Sequence, residues 1–394
     1  MTHTATNLKF SMLQGVYWSA FCVVYTFLVP LYRYYGYNEI TIGILAMITS
    51  LASVVIQPLW GILSDRTGKI KAIFQGAILA SIPLAFGLLL GKQSAILMGI
   101  VVFLLSSSFL SMGTVLDSWI MKMINQGQNI QYSLTRGIGS LTYALMAIVF
   151  GRFLDVAGME VIPFSFTVMA LIMVAVAFFV RPPAREAHHG QVGSPFAAIG
   201  ILVGNRRFVL LLISIMLLYV GNGAIMVFMP VRMEALGGTN ATLGIAMTLM
   251  ALCEASAMLL HHRIVRHVRN ETILSVAMFF FILKGVATAL APGTTMLILV
   301  QVLQFASFGL YLPSIVQHIN RMVDEKSLVT ALLLFSSATY GVGMMLGGIF
   351  GGILADAVGV QAMMLLLTGV TLSGFLLFIL TGRQDMSAGF EWRR

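Results

Sequence analysis

Charged side chains are scarce in this sequence of 394 residues. Only 9% of the residues are Asp, Glu, Lys or Arg, whereas 59% are hydrophobic, and the mean hydropathy is +0.95. Soluble domains carry roughly 25% charged residues. The composition therefore excludes an ordinary soluble protein and predicts an integral membrane protein.

Cysteines and nucleotide-binding motifs are also scarce or absent. The two cysteines, Cys22 and Cys253, both lie in apolar runs, so the sequence offers neither a disulfide framework nor a cysteine-based metal cluster. It contains no G-x-x-x-x-G-K-[ST] motif, which leaves ATP-driven pumping without support. No nucleophile and base pattern is evident either. We therefore expect no enzyme activity, no bound metal and no organic cofactor.

Hydrophobic runs are abundant by contrast. Runs of about 20 residues, enough to cross roughly 30 Å of hydrocarbon as a helix, recur twelve times. None has the alternating pattern of a transmembrane strand, so helix is the only interpretation. Their limits are approximately 10–33, 40–64, 72–91, 95–124, 131–154, 160–180, 207–233, 241–265, 272–291, 295–320, 327–355 and 361–381. The sequence predicts an all-α membrane protein with twelve transmembrane helices.

Lysine and arginine are distributed unevenly over the connecting loops. With both termini placed in the cytoplasm, 17 of the 23 Lys and Arg residues fall on the cytoplasmic side and 4 on the other. This is the asymmetry of the positive-inside rule, and it explains the net charge of +9 without a nucleic-acid partner. We expect a multi-pass protein of the bacterial inner membrane with both termini in the cytoplasm.

A polar, basic segment divides the chain in its middle. We predict an N-terminal six-helix bundle over 1–180, a cytoplasmic linker over 181–206, and a C-terminal six-helix bundle with a short cytoplasmic tail over 207–394. The stretch from Pro30 resembles the stretch from Pro230, at an offset of about 200 residues. This similarity indicates a duplication. Two pseudo-symmetric bundles around a central site are the architecture of rocking-bundle transporters.

The loop after the second run reads GILSDRTGKIK. Gly61 and Gly68 permit close approach and a tight turn, and Asp65 can cap or pair at a helix end. The combination resembles the signature loop of the major facilitator superfamily, G-x-L-[AS]-D-R-x-G-[RK]-x-[RK], matched from Gly61 to Lys71. The resemblance implies that Asp65 and Arg66 belong to a conformational latch between helix ends and do not touch substrate.

Four ionisable residues lie well inside the predicted spans, namely Asp117, Arg136, Glu254 and Lys284. Each would cost about 2.5–3.5 kcal/mol at the centre of an isolated inserted helix, so they must face the interior and find partners. Asp117 and Arg136 lie at equal depth on neighbouring antiparallel spans, and the long Lys284 side chain can reach Glu254. The sequence therefore predicts one ion pair in each half.

These charges have a structural and a functional interpretation. In the structural interpretation, the acids and bases only pair with one another inside the protein. In the functional interpretation, they form a site for a substrate and a coupling ion. A buried carboxylate whose basic partner is withdrawn favours its protonated form, and restoring the cation reverses this. Arg136 offers a planar set of donors, and Tyr143, two turns further on nearly the same face, adds an aromatic ring. An acid, a guanidinium and a ring together favour a site for a sugar or another ring.

Residues 40–68 and 114–146 resemble the oligosaccharide:proton symporters of the major facilitator superfamily. The resemblance implies that Asp117 and Arg136 hydrogen-bond the sugar. It also implies that Tyr143 stacks on the sugar, at the position of the family's tryptophan.

In the second half the resemblance is patchier and extends to related proton symporters. It implies that Glu254 links sugar binding to protonation and that Lys284 stands for a basic residue of the ninth helix. The acidic residues that the family has on the seventh helix are absent around Asn222, and Tyr340 stands at the position of the family's lysine on the eleventh helix. We include Asn222 and Tyr340 in the predicted substrate site. The family's Lys/His/Glu group on the tenth helix is reduced to His318, as a proton carrier or an interfacial residue.

The sequence thus predicts a monomeric, proton-coupled symporter that imports a small polar solute, a sugar, glycoside or nucleoside, by alternating access. Protons are its only expected coupling ion. A proton-coupled drug or metabolite efflux antiporter is one alternative, with Asp117 or Glu254 as its carboxylate, but paired charges beside a ring favour a hydrophilic solute. A non-transporting membrane sensor is another; it would carry an output domain, for which we expect the tail GRQDMSAGFEWRR to be too short.

Overall fold

The structure is a computed structural model that describes residues 2–183, 195–324 and 327–387. Residues 184–194 of the predicted linker lie outside these ranges. Within them, all regular structure is helical and no strand occurs. Twelve of the helices are long and apolar enough to cross a membrane.

We number these twelve helices in chain order. They are α1 (Thr6–Tyr34), α2 (Glu39–Thr67), α3 (Ile70–Lys92), α4 (Ala95–Asn125), α5 (Tyr132–Ala157), α6 (Met159–Phe178), α7 (Arg206–Ala235), α8 (Asn240–Ile264), α9 (Asn270–Leu290), α10 (Thr294–Met322), α11 (Thr330–Val358) and α12 (Val360–Thr381). Their ends lie within four residues of the apolar runs in the sequence. The predicted twelve-helix, all-α fold class is confirmed.

Residue contacts divide the chain into two compact units. Unit 1 contains Met1–His188 and Met233–Leu252, and unit 2 contains His189–Arg232 and Cys253–Arg394. Helices α1 to α6 belong to unit 1 together with the end of α7 and the first half of α8. Each bundle predicted from the sequence is one continuous segment, whereas each contact-based unit is made of two segments. The predicted bundle boundaries stay a prediction.

The two halves of the chain repeat backbone features at an offset of about 200 residues. Gly36 after α1 and Gly237 after α7 have φ angles of 79° and 78°, and each closes the same type of helix-ending turn. Gly158 after α5 and Gly359 after α11 both have φ of 82°. Glycine adopts this left-handed conformation without the penalty of a Cβ atom. The repeated helix ends support the internal duplication predicted from the sequence.

Four spans contain a π-helical stretch. They are Cys22–Thr26 in α1, Ser106–Leu110 in α4, Phe305–Gly309 in α10 and Ser337–Gly343 in α11. The stretches in α4 and α10 are again about 200 residues apart. A π stretch widens one turn of the helix, and such turns are frequent at functional sites. Each of these four helices carries a residue of the site described below.

Glycines set the distance between α7 and α11 in unit 2. Gly343, Gly347 and Gly351 recur every four residues on one face of α11. A Cβ atom on any of the three would come within 3 Å of α7 atoms. The two backbones therefore approach closely, as small residues allow in membrane helices. This packing fixes α11, which carries Tyr340, against α7.

Candidate functional site

A cluster in unit 1 joins α1, α4 and α5. Gln14 Nε2 donates a hydrogen bond to Asp117 Oδ1 at 2.8 Å, and Trp18 Nε1 donates to Gln14 Oε1 at 2.9 Å. The guanidinium carbon of Arg136 lies 4.0 Å from the centre of the Trp18 ring. Gln14 and Trp18 are four residues apart and so share one face of α1. We call Gln14, Trp18, Asp117 and Arg136 the unit 1 cluster.

The sequence-predicted ion pair of Asp117 and Arg136 is not formed directly. Among the described residues, the Asp117 carboxylate accepts a hydrogen bond from Gln14. Arg136 instead lies over Trp18, a contact worth about 0.5–2 kcal/mol. Both side chains instead contact α1, Asp117 through Gln14 and Arg136 through Trp18.

Aromatic side chains extend the unit 1 cluster along α1. The Trp18 and Phe21 rings are 5.1 Å apart, and the Phe21 and Tyr143 rings are 6.2 Å apart. The hydroxyls of Tyr143 and Thr26 are hydrogen-bonded at 3.0 Å. The sequence-predicted Tyr143 thus shares one aromatic group with Trp18. Trp18, however, is the ring that carries the guanidinium of Arg136.

The π stretch of α4 is held by donors from two neighbouring helices. The Tyr17 hydroxyl of α1 donates to the Leu110 carbonyl at 3.1 Å. The Trp60 indole of α2 donates to the Ser107 carbonyl at 2.7 Å. These contacts fix α4 in the turns that precede Asp117, and so they position its carboxylate.

A second cluster, in unit 2, joins α8, α9 and α10. Lys284 Nζ donates to Gln304 Oε1 at 2.5 Å, and Gln304 Nε2 donates to Glu254 Oε2 at 3.3 Å. Lys284 is 3% exposed and Gln304 is 5% exposed. An ammonium group only donates and a carboxylate only accepts, so these neighbours dictate how the amide is turned. The structure therefore brings the predicted pair of Glu254 and Lys284 together, with Gln304 hydrogen-bonded to both. We call Glu254, Lys284 and Gln304 the unit 2 cluster.

Tyrosines from three helices of unit 2 form an aromatic group. The Tyr219 ring of α7 lies 5.4 Å from the Tyr340 ring and 6.0 Å from the Tyr311 ring. The sequence-predicted Tyr340 is partly exposed and lies in the π stretch of α11. Asn222, also predicted, is buried one turn after Tyr219.

The sequence-predicted His318 lies elsewhere on α10. It is buried near the end of that helix, 5.9 Å from the Phe378 ring. Fourteen residues separate it from Gln304, which corresponds to about 20 Å of helix. His318 therefore belongs to a different level of unit 2 from the unit 2 cluster.

The signature loop forms the end of α2. Asp65 pairs with Lys122 of α4 at 2.6 Å, and the partners are 55% and 33% exposed. Gly68 ends the helix with φ of 65°, whereas Gly61 lies inside α2 with open space where a Cβ atom would be. Arg66 is exposed. The structure thus shows an Asp65–Lys122 ion pair at the signature loop, and the latch role of Gly61, Asp65, Arg66 and Gly68 stays a prediction.

Both clusters combine one acid, one base and one glutamine amide. The ranges that the structure describes contain no group of three or more His, Cys, Asp or Glu side chains that could hold a metal ion. A glutamine amide does not titrate near neutral pH. In unit 2 it bonds to the acid and the base at once, whereas in unit 1 it bonds to the acid and to the Trp18 indole. A polar solute that replaces the amide would face both charges, and a proton on the acid would release one end of the amide.

Sequence reasoning missed three members of these clusters. Gln14, Trp18 and Gln304 are uncharged, so a search for ionisable residues passes over them. One signal was available, because a glutamine inside an apolar span is costly without a hydrogen-bond partner. The four-residue spacing of Gln14 and Trp18 was a second signal, since it places both on one face of α1.

Comparison with known proteins gives consistent matches along nearly the whole chain. The maltose permease of Geobacillus stearothermophilus is 27% identical over 357 residues, which cover 89% of this chain and 88% of that protein. The solved nucleoside transporter NupG has a TM-score of 0.82 at 16% identity, over 96% of this chain and 99% of that chain. The E. coli fucose:proton symporter FucP has a TM-score of 0.57 at 14% identity, over 97% and 99%. At these identities the two solved structures show the fold.

The sequence model of the MFS_1 like family matches residues 7–366. The relatives and structural neighbours are transporters rather than enzymes, as the sequence predicts. The twelve apolar helices are those of a multi-pass membrane protein. The chain therefore belongs to the MFS_1 like family, and it is a transporter of the major facilitator superfamily.

Proposed function

We propose that this transporter imports a small polar solute together with protons by alternating access, and that the solute is a sugar, glycoside or nucleoside. It works in the bacterial inner membrane as a monomer, with both termini in the cytoplasm. Protons are its only coupling ion, and it needs no other cofactor and no nucleic-acid partner. One observation carries the proposal: in each unit a half-buried acid inside a membrane-spanning helix is hydrogen-bonded to a neutral glutamine, which contacts the buried base in unit 2 and the indole beneath the base in unit 1.

The unit 1 cluster supports a solute with ring and hydroxyl groups. Trp18 offers an indole surface, and Arg136 offers planar donors directly over that ring. Gln14 and Asp117 add an amide and a carboxylate that can accept hydroxyl donors. Asp117 and Arg136 both keep part of their surface exposed. A lipophilic drug offers no hydroxyl groups to bond with this polar set, whereas a sugar or nucleoside does.

The unit 2 cluster supports coupling to protons. Glu254 is partly exposed, whereas Lys284 is buried and held by Gln304. A proton taken up by Glu254 removes the negative charge that balances Lys284. It also removes an acceptor from the amide of Gln304. The loaded and unloaded states therefore differ in charge and in hydrogen bonding, which is what coupling to a conformational change needs.

The names of the related proteins are consistent with this proposal. One relative is a maltose permease, and the structural neighbours include a nucleoside transporter and a fucose:proton symporter. Those names describe those proteins. For this chain they favour a panel of sugars, glycosides and nucleosides as the first solutes to test.

Reconstituted vesicles that contain a pH-sensitive dye provide the test. Each solute of a panel of maltose, fucose, a phenyl glycoside and uridine is added outside, and the internal pH is recorded. We expect at least one solute to carry protons inward. Arg136→Lys keeps the charge but loses the planar contact with Trp18, so uptake should fall; Arg152→Lys, on the exposed face of the same helix, is the matched control and should not change it.

Two results would contradict the proposal. The first is wild-type protein in which no solute of the panel moves protons. The second is extrusion of a lipophilic dye, driven by an acidic lumen and retained in Arg136→Ala, which would favour the efflux antiporter. Retained solute-dependent proton uptake in Glu254→Gln would contradict the assignment of Glu254 as the proton carrier.

A further inference from the structure

Buried polar side chains extend from the unit 2 cluster toward the end of α8. Tyr311 and Ser314 of α10 are fully buried. His261 of α8 is 9% exposed, and its Nε2 is hydrogen-bonded to Ser314 Oγ at 2.9 Å. Asn270, at the start of α9, donates to the Ser314 carbonyl at 2.9 Å. We call these four residues the polar column; such groups are costly in the interior of a membrane protein, so their presence at one place needs a reason.

Two atoms of the polar column have no hydrogen-bond partner in the described part of the chain. They are the Tyr311 hydroxyl and Asn270 Oδ1, and both are buried. A buried polar atom without a partner costs about 1–3 kcal/mol. A water molecule held by two to four polar groups removes most of that cost. The two atoms therefore give the column the hydrogen-bonding capacity to hold water.

The polar column leads back to Glu254 along two helices. Gly309 of α10, two residues before Tyr311, packs against α8 at the level of Glu254, because a Cβ atom there would lie 3.2 Å from the Glu254 carbonyl oxygen. On α8, His261 follows Glu254 by seven residues, which is two turns on one face and about 10 Å along the helix. Hydrogen-bonded steps of about 2.8 Å cover this distance in three or four moves.

We propose that the polar column is a proton path between Glu254 and the solvent beyond His261. A proton leaves the Glu254 carboxyl group and passes through bound water and the hydroxyls of Tyr311 and Ser314 to His261 Nε2. Each group accepts one proton and gives up another, and His261 releases its proton from the opposite ring nitrogen. The net change is one proton fewer on Glu254 and one more in the solvent. The carboxylate that remains is balanced by Lys284 through Gln304.

This inference rests on the proposed proton coupling and adds the route of the proton. The end of α8 is the end that the proposed orientation places in the cytoplasm. Several charged and titratable groups lie at this end. They include His262, Arg263, Arg266 and His267 at or just after the end of α8, Arg269 and Glu271 at the start of α9, and His318 and Arg321 of α10. Glu271 lies 3.8 Å from Arg269 and 3.5 Å from Arg321. It offers a carboxylate at the mouth of the path.

The substitution His261→Gln distinguishes between two roles of His261, that of a proton carrier and that of a structural contact to Ser314. The glutamine amide can still bond to Ser314, but it does not take up and release protons near neutral pH. His262→Gln is the matched control, because His262 is exposed and its Nδ1 is bonded to the Leu259 carbonyl of its own helix. Tyr311→Phe removes the hydroxyl and keeps the ring packing.

The full chain is reconstituted in vesicles with the same solute panel. Three quantities are recorded: proton uptake, solute accumulation driven by a pH gradient, and exchange of labelled for unlabelled solute, which moves no net proton. We expect His261→Gln and Tyr311→Phe to reduce accumulation by at least about tenfold, a modest loss for a proton-transfer group. Exchange should stay within about twofold of the wild type, and His262→Gln should match the wild type throughout.

Wild-type accumulation in His261→Gln would overturn the path. An equal loss of accumulation and exchange, with a lower midpoint of thermal unfolding, would identify a structural contact and would also overturn it. A wild-type protein that exchanges solutes of the panel without moving protons would overturn the proposed coupling itself. That outcome differs from a loss confined to the variants, so the two failures are distinguishable.

Discussion

The ammonium group of Lys284 lies 2.5 Å from the amide oxygen of Gln304, and both side chains are buried. Unit 1 has a related arrangement, in which the Gln14 amide lies between the Asp117 carboxylate and the Trp18 indole that carries Arg136. In unit 2 the amide joins the acid to the base, and in unit 1 it joins the acid to the ring over which the base lies. The charges are therefore compensated without being locked together.

Gln304→Leu should be among the most damaging substitutions in unit 2. It leaves the buried Lys284 ammonium without its hydrogen bond, which costs about 1–3 kcal/mol. Gln301→Leu is a matched control, because Gln301 is equally buried on the same helix but donates only to the Leu297 carbonyl, at 3.1 Å. The midpoint of thermal unfolding and proton-driven uptake should both fall much further in Gln304→Leu. Equal effects of the two changes would argue against a specific role for Gln304.

Gly139→Ala tests the position of Trp18 without touching a polar group. A Cβ atom on Gly139 would lie 2.6 Å from Trp18 Cδ1, so the indole must move away from Arg136 and Gln14. We expect the apparent affinity for the transported solute to fall about tenfold, which is about 1.4 kcal/mol. Gly137→Ala is the control on the same helix, since a Cβ atom there meets open space. Initial uptake rates over a range of solute concentrations measure both variants, and unchanged affinity in Gly139→Ala would weaken the role of Trp18.

The fold was predictable because it depends on simple properties of the sequence. Twelve apolar runs of membrane-spanning length leave helix as the only regular structure, and the ends of α1 to α12 follow them closely. Charges inside apolar runs are rare enough to identify Asp117 and Glu254 at once. The π stretches were not predicted, because one additional residue in a turn leaves no compositional pattern.

The contacts within the candidate site were harder to predict. The depth of Asp117 and Arg136 follows from their positions along α4 and α5. Which side chains they contact depends on how α1 packs against both helices, and a local pattern does not contain this information. For the same reason the link between Glu254 and Lys284 was predicted as a direct pair, although Gln304 connects them.

Gly68 and Gly61 of the signature loop should respond to alanine in opposite directions. Gly68 has φ of 65°, a conformation in which a Cβ atom costs about 1–2 kcal/mol. Gly61 is inside α2 with open space around it, where alanine favours the helix by about 0.5–1 kcal/mol. Thermal unfolding in detergent should therefore shift down for Gly68→Ala and slightly up for Gly61→Ala. A downward shift for Gly61→Ala would reveal close packing at that position.

The start of α8 depends on Asp155 at the end of α5. The Asp155 carboxylate accepts from the Asn240 backbone N–H at 2.9 Å and from the Ala241 backbone N–H at 3.0 Å. It also accepts from the Asn240 side chain at 2.9 Å. The first N–H groups of a helix have no partner within the helix, and a carboxylate there also favours the helix dipole. Asp155 therefore acts as a cap supplied by another helix.

Asp155→Asn keeps one acceptor oxygen but loses the charge and one of the two acceptors. We expect a loss of about 1 kcal/mol, as for other N-terminal caps. Asp356 is the counterpart of Asp155 about 200 residues later, at the end of α11, and it is exposed. Asp356→Asn should thus leave the unfolding midpoint unchanged, and amide hydrogen exchange of residues 240–243 should rise only in Asp155→Asn. Faster exchange in neither variant would mean that α8 begins without help from Asp155, because the exchange rate reports directly on the N–H groups that the carboxylate holds.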